Sequence, residues 1–505
     1  MRPRHRPHLL SSPAEASYVG DMATDQDVVA AAPKQLLIGG EWRDGAEGLL
    51  TVEDPSTGEP LCEIANASAD DASAALSAAS EAQASWRDVA PRSRGEILRR
   101  AYELMVERTD DLALLMTLEM GKSLKESKAE IAYAAEFFRW FAEEAVRIAG
   151  RYSTEPSGNG RLLTMKQPVG PCLLITPWNF PAAMGTRKIG PAVAAGCTIV
   201  VKPAKQTPLT MLALGQILEE CGLPKGVLNI VTSSSSGTVM KPLIQDPRLR
   251  KLSFTGSTEV GRTLMEQAAP NLLRLSMELG GNAPYLVFED ADLDKAVEQA
   301  VIAKMRNMGE SCVAANRFHV HESLAVEFTR RLADKLGSLT VGRGVEESTD
   351  VGPLIDDDQR SKVAELVDDA TSKGAEVVTG GSAPAGKGYF YSPTVLGSVP
   401  GDARILKEEV FGPVAPVATF RTDDEALAAA NDSDFGLVAY VFTENFGRAM
   451  RIVERLETGM VGLNKGLVSN PSAPFGGVKQ SGFGREGGFE GIEEYLSPKY
   501  VGMDI

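Results

Sequence analysis

Between Pro171 and Gly281 the sequence alternates short apolar runs with helical stretches, and no other feature narrows the possible folds as far. Cys172-Leu173-Leu174-Ile175-Thr176 is stopped by Pro177-Trp178-Asn179-Phe180-Pro181, and Thr198-Ile199-Val200-Val201 ends in Lys202-Pro203-Ala204-Lys205. A helix near Met211 to Glu220 follows, then the strands Val227-Leu228-Asn229-Ile230-Val231 and Lys251-Leu252-Ser253-Phe254. This strand–helix–strand rhythm predicts an α/β fold with a parallel sheet, whose ligands bind at the carboxyl ends of the strands.

A chain of 505 residues is too long for one simple core, so two or three domains are expected. Its net charge of −16 argues against nucleic acid and anionic membrane surfaces as partners. The five cysteines, at 62, 172, 197, 221 and 312, are odd in number and form no C-x-x-C pair. A disulfide framework or zinc site is not expected, and a reducing cytoplasm is the natural compartment. Of four histidines, His5 and His8 lie near the N-terminus; His319 and His321 share an apparent strand and face the same way, where a metal is conceivable but surface or edge positions are expected. So few histidines make a Ser-His-Asp hydrolase or a His-based zinc enzyme hard to build. A general base, if one is needed, is a carboxylate.

Residues 1–33 are rich in Arg, His and Ala, with Leu9-Leu10 too short for a signal-peptide core, and read as a disordered tail or as sequence upstream of a start at Met22. Leu36 to Trp42 and Asp54 to Glu59 mark short strands and turns, and residues 68–150 are helical with breaks near Pro91 and Gly121. Ser157-Gly158-Asn159-Gly160, between alternating segments, predicts a hairpin over 151–170 of the kind used as an assembly arm.

Several residues at strand ends have the chemistry of a site. Thr255-Gly256-Ser257-Thr258-Glu259-Val260-Gly261 follows a strand and opens a helix, so its N–H groups and dipole suit a phosphate; lacking a P-loop lysine, it disfavours ATP. Lys202 and Lys205 stand where a carboxylate often holds an adenosine ribose; a lysine there tolerates a 2′-phosphate, although two solvated lysines would look the same. Ser276-Met277-Glu278-Leu279-Gly280-Gly281 puts a carboxylate in an apolar run beside two glycines that let backbone come close, which requires a raised pKa or a specific task unless Glu278 caps a surface loop. Met305 to Arg317 presents Cys312 on a turn with polar neighbours. Alone it reads as a small core residue; near a glutamate it suggests covalent catalysis.

Pro177-Trp178-Asn179-Phe180-Pro181, Lys202-Pro203-Ala204, Phe254-Thr255-Gly256-Ser257, Glu278-Leu279-Gly280-Gly281, Gly309 with Cys312, Glu409-Val410-Phe411-Gly412-Pro413, Pro474-Phe475-Gly476-Gly477 and Ser481 to Glu486 occur in one order and spacing. From about Leu36 to Val501 the chain thereby resembles the aldehyde dehydrogenase superfamily. The resemblance implies a Rossmann-type cofactor domain, an α/β catalytic domain and a β-hairpin oligomerisation arm. Carried onto this chain, the dinucleotide-binding domain would span 35–150 and 171–281, the catalytic domain 282–486 and the arm 151–170 with 487–505, behind a tail over 1–34. A homodimer or homotetramer is the family expectation.

The same resemblance implies that Cys312 attacks an aldehyde and that the Asn179 amide and the Cys312 N–H hold the oxyanion, each donor worth about 3 kcal/mol. Glu278 would activate the water that hydrolyses the thioester. Glu409 and Phe411 would hold the nicotinamide end, while Trp178, Asn179, Lys202, Pro203, Ala204, Lys205, Gly256, Ser257 and Leu279 would complete a site for NADP, with NAD possible.

Thr186-Arg187-Lys188, Arg306-Asn307 and Gly466-Leu467-Val468-Ser469 are similar to succinate-semialdehyde dehydrogenases, in which two arginines and a serine hold the substrate's distal carboxylate; Arg187, Arg306 and Ser469 are carried over on that basis. Structural salt bridges are the other reading of these arginines. Three departures stand out: Ala314 replaces the second cysteine of a redox pair, Met308 and Glu310 replace a small residue and Gln, and Ser233 to Ser236 replace a Gly-rich stretch. The expected activity is oxidation of succinate semialdehyde. Alternatives are another ω-carboxylated or apolar aldehyde, a cofactor-independent cysteine acyl transferase or esterase, and a non-catalytic protein on the same fold.

Overall fold

A computed structural model describes residues 24–504. The expected tail therefore lies largely outside the described residues, and its last part needs correction: Asp25–Ala31 is a helix. Thr24 and Asp27 cap it reciprocally, and Val28 and Val29 pack with Leu115, Leu118 and Leu209. A capping box plus two buried valines is enough to order so short a helix once a packing surface exists.

The first sheet has eight strands, in the order Glu41–Arg43, Leu36–Ile38, Leu228–Ile230, Ile199–Lys202, Cys172–Ile175, Lys251–Thr255, Arg274–Glu278 and Gly482–Phe483. The five inner strands are parallel and the pairings at both edges antiparallel. The inner strands up to Thr255 are buried throughout, because helices such as Ala69–Arg87 and Ala183–Ala195 cover both faces. Gly482–Phe483, more than 200 positions beyond its neighbour Arg274–Glu278, returns to complete this sheet.

A second sheet of seven strands runs Glu376–Thr379, Thr394–Gly397, Val414–Phe420, Ala315–His321, Ala283–Val287, Val438–Phe442 and Met460–Leu463. Ala315–His321 lies in its middle, paired in parallel on both sides. His319 is therefore buried, which corrects the expected surface or edge position; burial, with Arg317 and Lys407 nearby, pushes its pKa down to about 3, so it is a neutral core residue. His321 instead caps the helix Glu322–Gly337 by accepting from the Ser323 N–H. Among the described residues no group of three or more His, Cys, Asp or Glu is placed to hold a metal, and no helix is long and apolar enough to cross a membrane.

The hairpin predicted at Ser157 to Gly160 joins Arg151–Thr154 to Gly160–Pro168, and Leu496–Asp504 pairs antiparallel with the latter along its whole length. This three-stranded sheet is solvent-facing: Tyr152 and Tyr500 are 63% and 65% exposed.

Candidate active site

The inner order of the first sheet reverses at one place. From Cys172–Ile175 the chain builds outward on one side through Ile199–Lys202 and Leu228–Ile230, then returns to lay Lys251–Thr255 and Arg274–Glu278 on the other. Loops leaving the carboxyl ends of Cys172–Ile175 and Lys251–Thr255 diverge, and a crevice opens between them. A cleft of about 220 Å³ occupies this position, walled by Pro177, Trp178 and Asn179 from one loop and Thr255, Gly256 and Ser257 from the other. Cys312, Glu409 and Phe411 close it from the second sheet's side.

Cys312 arrives through an unusual turn. The helix Leu293–Met305 ends, and Asn307 and Met308 adopt left-handed conformations with φ of 55° and 53° before Gly309 and the thiol. Two consecutive non-glycine residues in that region are costly, and surrounding contacts must hold them there. Gly281 lets the loop seat: a Cβ there would lie 2.3 Å from the Cys312 carbonyl oxygen. The thiol is half-buried at the cleft floor. Its surroundings push its pKa up to about 12, burial first, then the carboxylates of Glu409 and Glu278, against the opposing pull of Arg187 and Arg306.

Asn179 is buried, and its side-chain amide donates to the Glu310 carbonyl at 3.0 Å. A carboxamide has two N–H donors, so one remains for a ligand. Glu278, the last residue of its strand, has both carboxylate oxygens buried without a hydrogen-bond partner. Burial, and then the charge of Glu486, raise its pKa well above the ordinary value.

Two groups to which the sequence reading gave no role, Lys188 and Glu486, act on the charge of Glu278. Lys188 donates to Glu486 at 2.5 Å and to the Ser253 hydroxyl at 2.9 Å, and Arg187 meets the same carboxylate at 3.1 Å. The available signal was a basic pair inside an otherwise apolar helix and a glutamate in a glycine-rich run, charges that burial obliges to pair.

On the cleft's other wall, Ser257 caps the helix Thr258–Ala268 and accepts from the Val260 N–H at 3.4 Å, and the other N–H groups of a helix's first turn have no partner within the helix. Leu279 lies beneath this helix. Lys202 ends its strand 6% exposed with no ion pair among the described residues; burial, then Lys205, push its pKa down to about 8. Pro203 and Ala204 continue as a buried irregular segment, while Lys205 emerges into a second hollow beside Gln206 and Ser234. Glu409 accepts from the Gly281 N–H at 3.0 Å, and burial pushes its pKa up to about 6. Phe411, itself left-handed with φ of 52°, meets Trp178 edge-on at 5.3 Å.

The three residues assigned to a substrate carboxylate are differently placed. Arg187 is fully buried, with Glu486 as partner, Phe475 under its guanidinium at 4.1 Å and the Tyr133 hydroxyl at 3.2 Å. Arg306 lies over the rings of Phe180 and Tyr133 at 4.8 and 5.4 Å and has no ion pair among the described residues. Tyr133, which the sequence reading did not single out, thus contacts both arginines from the helix Leu124–Glu144. Ser469 lines a different hollow, with Arg139, Trp140 and Pro471.

Residues 42–501 match the family model described as the aldehyde dehydrogenase family. The chain is 59% identical to the succinate-semialdehyde dehydrogenase of Paenarthrobacter nicotinovorans, over 88% of this chain and 98% of that one. It is 50% identical to the glutarate-semialdehyde dehydrogenase of Pseudomonas putida, over 94% and 98% of the two chains. Among solved structures, a crystal structure described as an E. coli NADP dependent enzyme superposes with a TM-score of 0.93 at 49% identity, covering 94% of this chain and 98% of that one.

Proposed function

The chain belongs to the aldehyde dehydrogenase family, and from that premise we propose that it oxidises succinate semialdehyde to succinate with NADP as preferred acceptor and NAD as a possible one. The observation that carries this reading is the half-buried Cys312 thiol in the crevice, within the electrostatic reach of a buried Glu278 that has no hydrogen-bond partner and an Arg306 that has no ion pair among the described residues.

The cleft suits a dinucleotide on its own chemistry. A capped helix N-terminus offers N–H groups, Lys202 brings a cation without an ion pair among the described residues, and Glu409 offers a carboxylate to ribose hydroxyls. Trp178, Asn179, Lys202, Pro203, Ala204, Lys205, Gly256, Ser257, Leu279, Glu409 and Phe411 are the residues we assign to it. Lys205, a cation rather than a carboxylate near the strand end, favours a 2′-phosphate. Bound NADP supplies the acceptor for the hydride of the reaction.

The Cys312 sulfur attacks the aldehyde carbon, forming the C–S bond of a thiohemiacetal. The free N–H of the Asn179 amide and the Cys312 backbone N–H hold the developing oxyanion. After oxidation to the thioester, Glu278 takes a proton from water as the water attacks; acid leaves and the thiol is restored. Arg306 is the principal anchor for the distal carboxylate, because Arg187 already shares its charge with Glu486 and Ser469 lines a different hollow.

Residues 35–150 and 171–281 then form the dinucleotide-binding domain and 282–486 the catalytic domain. The arm over 151–170 and 487–505 pairs copies into a homodimer or homotetramer, a reading supported by the exposed outer edge of its sheet. A cytoplasmic location fits the free cysteines.

Initial rates of NADPH and NADH formation with succinate semialdehyde, glutarate semialdehyde and an uncharged aldehyde of similar length, in the parent and in Arg306→Ala, test this. Strong preference for the four-carbon acid with NADP, lost in the variant, is expected. A preference for the five-carbon acid would move the substrate to the reading the Pseudomonas putida relative suggests. No preference for either acid would return both arginines to structural roles.

A further inference from the structure

Lys122, Glu126 and Glu130 recur at four-residue spacing across the start of the helix Leu124–Glu144, and each holds a backbone group at or beside the two loops that meet at the thiol. The Glu130 carboxylate accepts the N–H groups of Ala182 and Ala183 at 3.0 and 3.1 Å with one oxygen and the Lys122 ammonium at 2.5 Å with the other. Lys122 also donates to the Asn179 carbonyl at 2.9 Å. Glu126 accepts the Asn307 N–H at 2.6 Å, holding that residue in its left-handed conformation.

Asn307 ties the loops together. Its side-chain amide nitrogen donates to the Asn179 carbonyl at 2.8 Å and to the Glu310 carbonyl at 2.9 Å. Glu310 is the same carbonyl on which the Asn179 amide spends one N–H, two residues before Cys312. The plane of the Asn179 amide relative to the thiol is therefore set by a bridge that Asn307 throws from the Cys312 loop to the Asn179 loop. A buried Lys–Glu pair adds little net stability, but here each partner's remaining donor or acceptor fixes a segment of the site.

We propose that Asn307, seated by the Lys122–Glu126–Glu130 row, is a positioning residue that aligns the oxyanion donors, the Asn179 amide and the Cys312 N–H. The inference rests on the reading of those two groups as an oxyanion hole. A misplacement of such donors by a fraction of an ångström to an ångström lowers rate without changing ground-state binding.

The test compares two reactions of the Cys312 thiol in the full chain. Acylation by p-nitrophenyl acetate transfers the acetyl group to sulfur, releases nitrophenol and passes through an oxyanion; alkylation by iodoacetamide builds none. Asn307→Gly suits the backbone, since glycine accepts φ of 55° without strain. It is expected to lower acylation on the order of 10- to 100-fold at unchanged ester KM, with alkylation unaltered. Equal loss of both reactions, or loss of neither, would overturn the proposal. Glu126→Ala is expected to reproduce the loss and Glu126→Gln, which keeps the acceptor, to restore the rate; these variants decide the matter if Asn307→Gly does not fold. Asn179→Ala separates the premise: if it spares acylation, the oxyanion-hole reading is what fails.

Discussion

The guanidinium of Arg187 and the carboxylate of Glu486 meet at 3.1 Å with both side chains buried, and Lys188 shares the same carboxylate. The chain thus neutralises internally a cation that its sequence offers to a substrate. Removing the carboxylate would leave two buried cations without compensation. Glu486→Gln is expected to lose about 3–5 kcal/mol of stability, read from urea unfolding. Loss of that neighbouring negative charge also lowers the Glu278 pKa, so the rise of turnover with pH moves to more acidic values in whatever enzyme remains folded.

Glu278 has its carboxyl pKa raised in the folded chain by burial and then by Glu486. The folded state therefore holds a proton that the unfolded state has released once pH exceeds about 4.5, and this group's contribution to stability falls as pH rises toward the folded value. Glu278→Gln removes that dependence, so its melting temperature is expected to gain on the parent as pH rises above about 4.5. In turnover it leaves one equivalent of NADPH formed rapidly and slows the remainder about 10²–10⁴-fold, because water at the thioester has lost its base.

With its pKa pushed up to about 12, the Cys312 thiol is protonated at neutral pH in the chain without ligand. Alkylation by iodoacetamide should accelerate about tenfold per pH unit from 7 to 10, as the thiolate fraction grows. Glu409→Gln removes a raising charge and is expected to speed the reaction at pH 8, whereas Arg306→Ala removes a lowering one and slows it. A rate independent of pH would show that the thiolate is already formed.

Lys202 carries a cation at a site 6% exposed, and burial pushes its pKa down to about 8 from 10.5. Below pH 8 the folded chain bears the cost of that charge; between 8 and 10.5 it sheds the proton that the unfolded chain keeps, and the cost fades. Lys202→Met is expected to raise the melting temperature at pH 7, with the gain vanishing toward pH 10.5. The same change weakens NADPH binding, measured by fluorescence titration, roughly tenfold or more, a stability gain at the expense of a ligand contact.

Much of the architecture was legible because it follows from local chemistry. The turns at Pro177, Lys202 and Thr255 end apolar runs that can only be strands, and Gly121, Pro91 and Ser68 punctuate the helices as their backbone preferences require. Asp25–Ala31 was missed because its stability comes from packing on Leu115 and Leu118, which lie about ninety positions away. His319 was misread because its strand's place in the middle of the sheet depends on neighbours from 283–287 and 414–420.

What the sequence determined by itself is the set of elements and the chemical types at their ends, since short-range sterics, capping and apolar periodicity act within a few residues. It also carried, in ordered motifs, membership of the family. Only the tertiary structure decided which charge meets which. Lys188 finds Glu486 across 298 positions, Arg306 keeps its guanidinium without an ion pair among the described residues, and Asn307 bridges two loops from a left-handed turn. Those outcomes depend on distance and burial in three dimensions, because the cost of an unpaired polar group is set by the low-dielectric surroundings that packing creates.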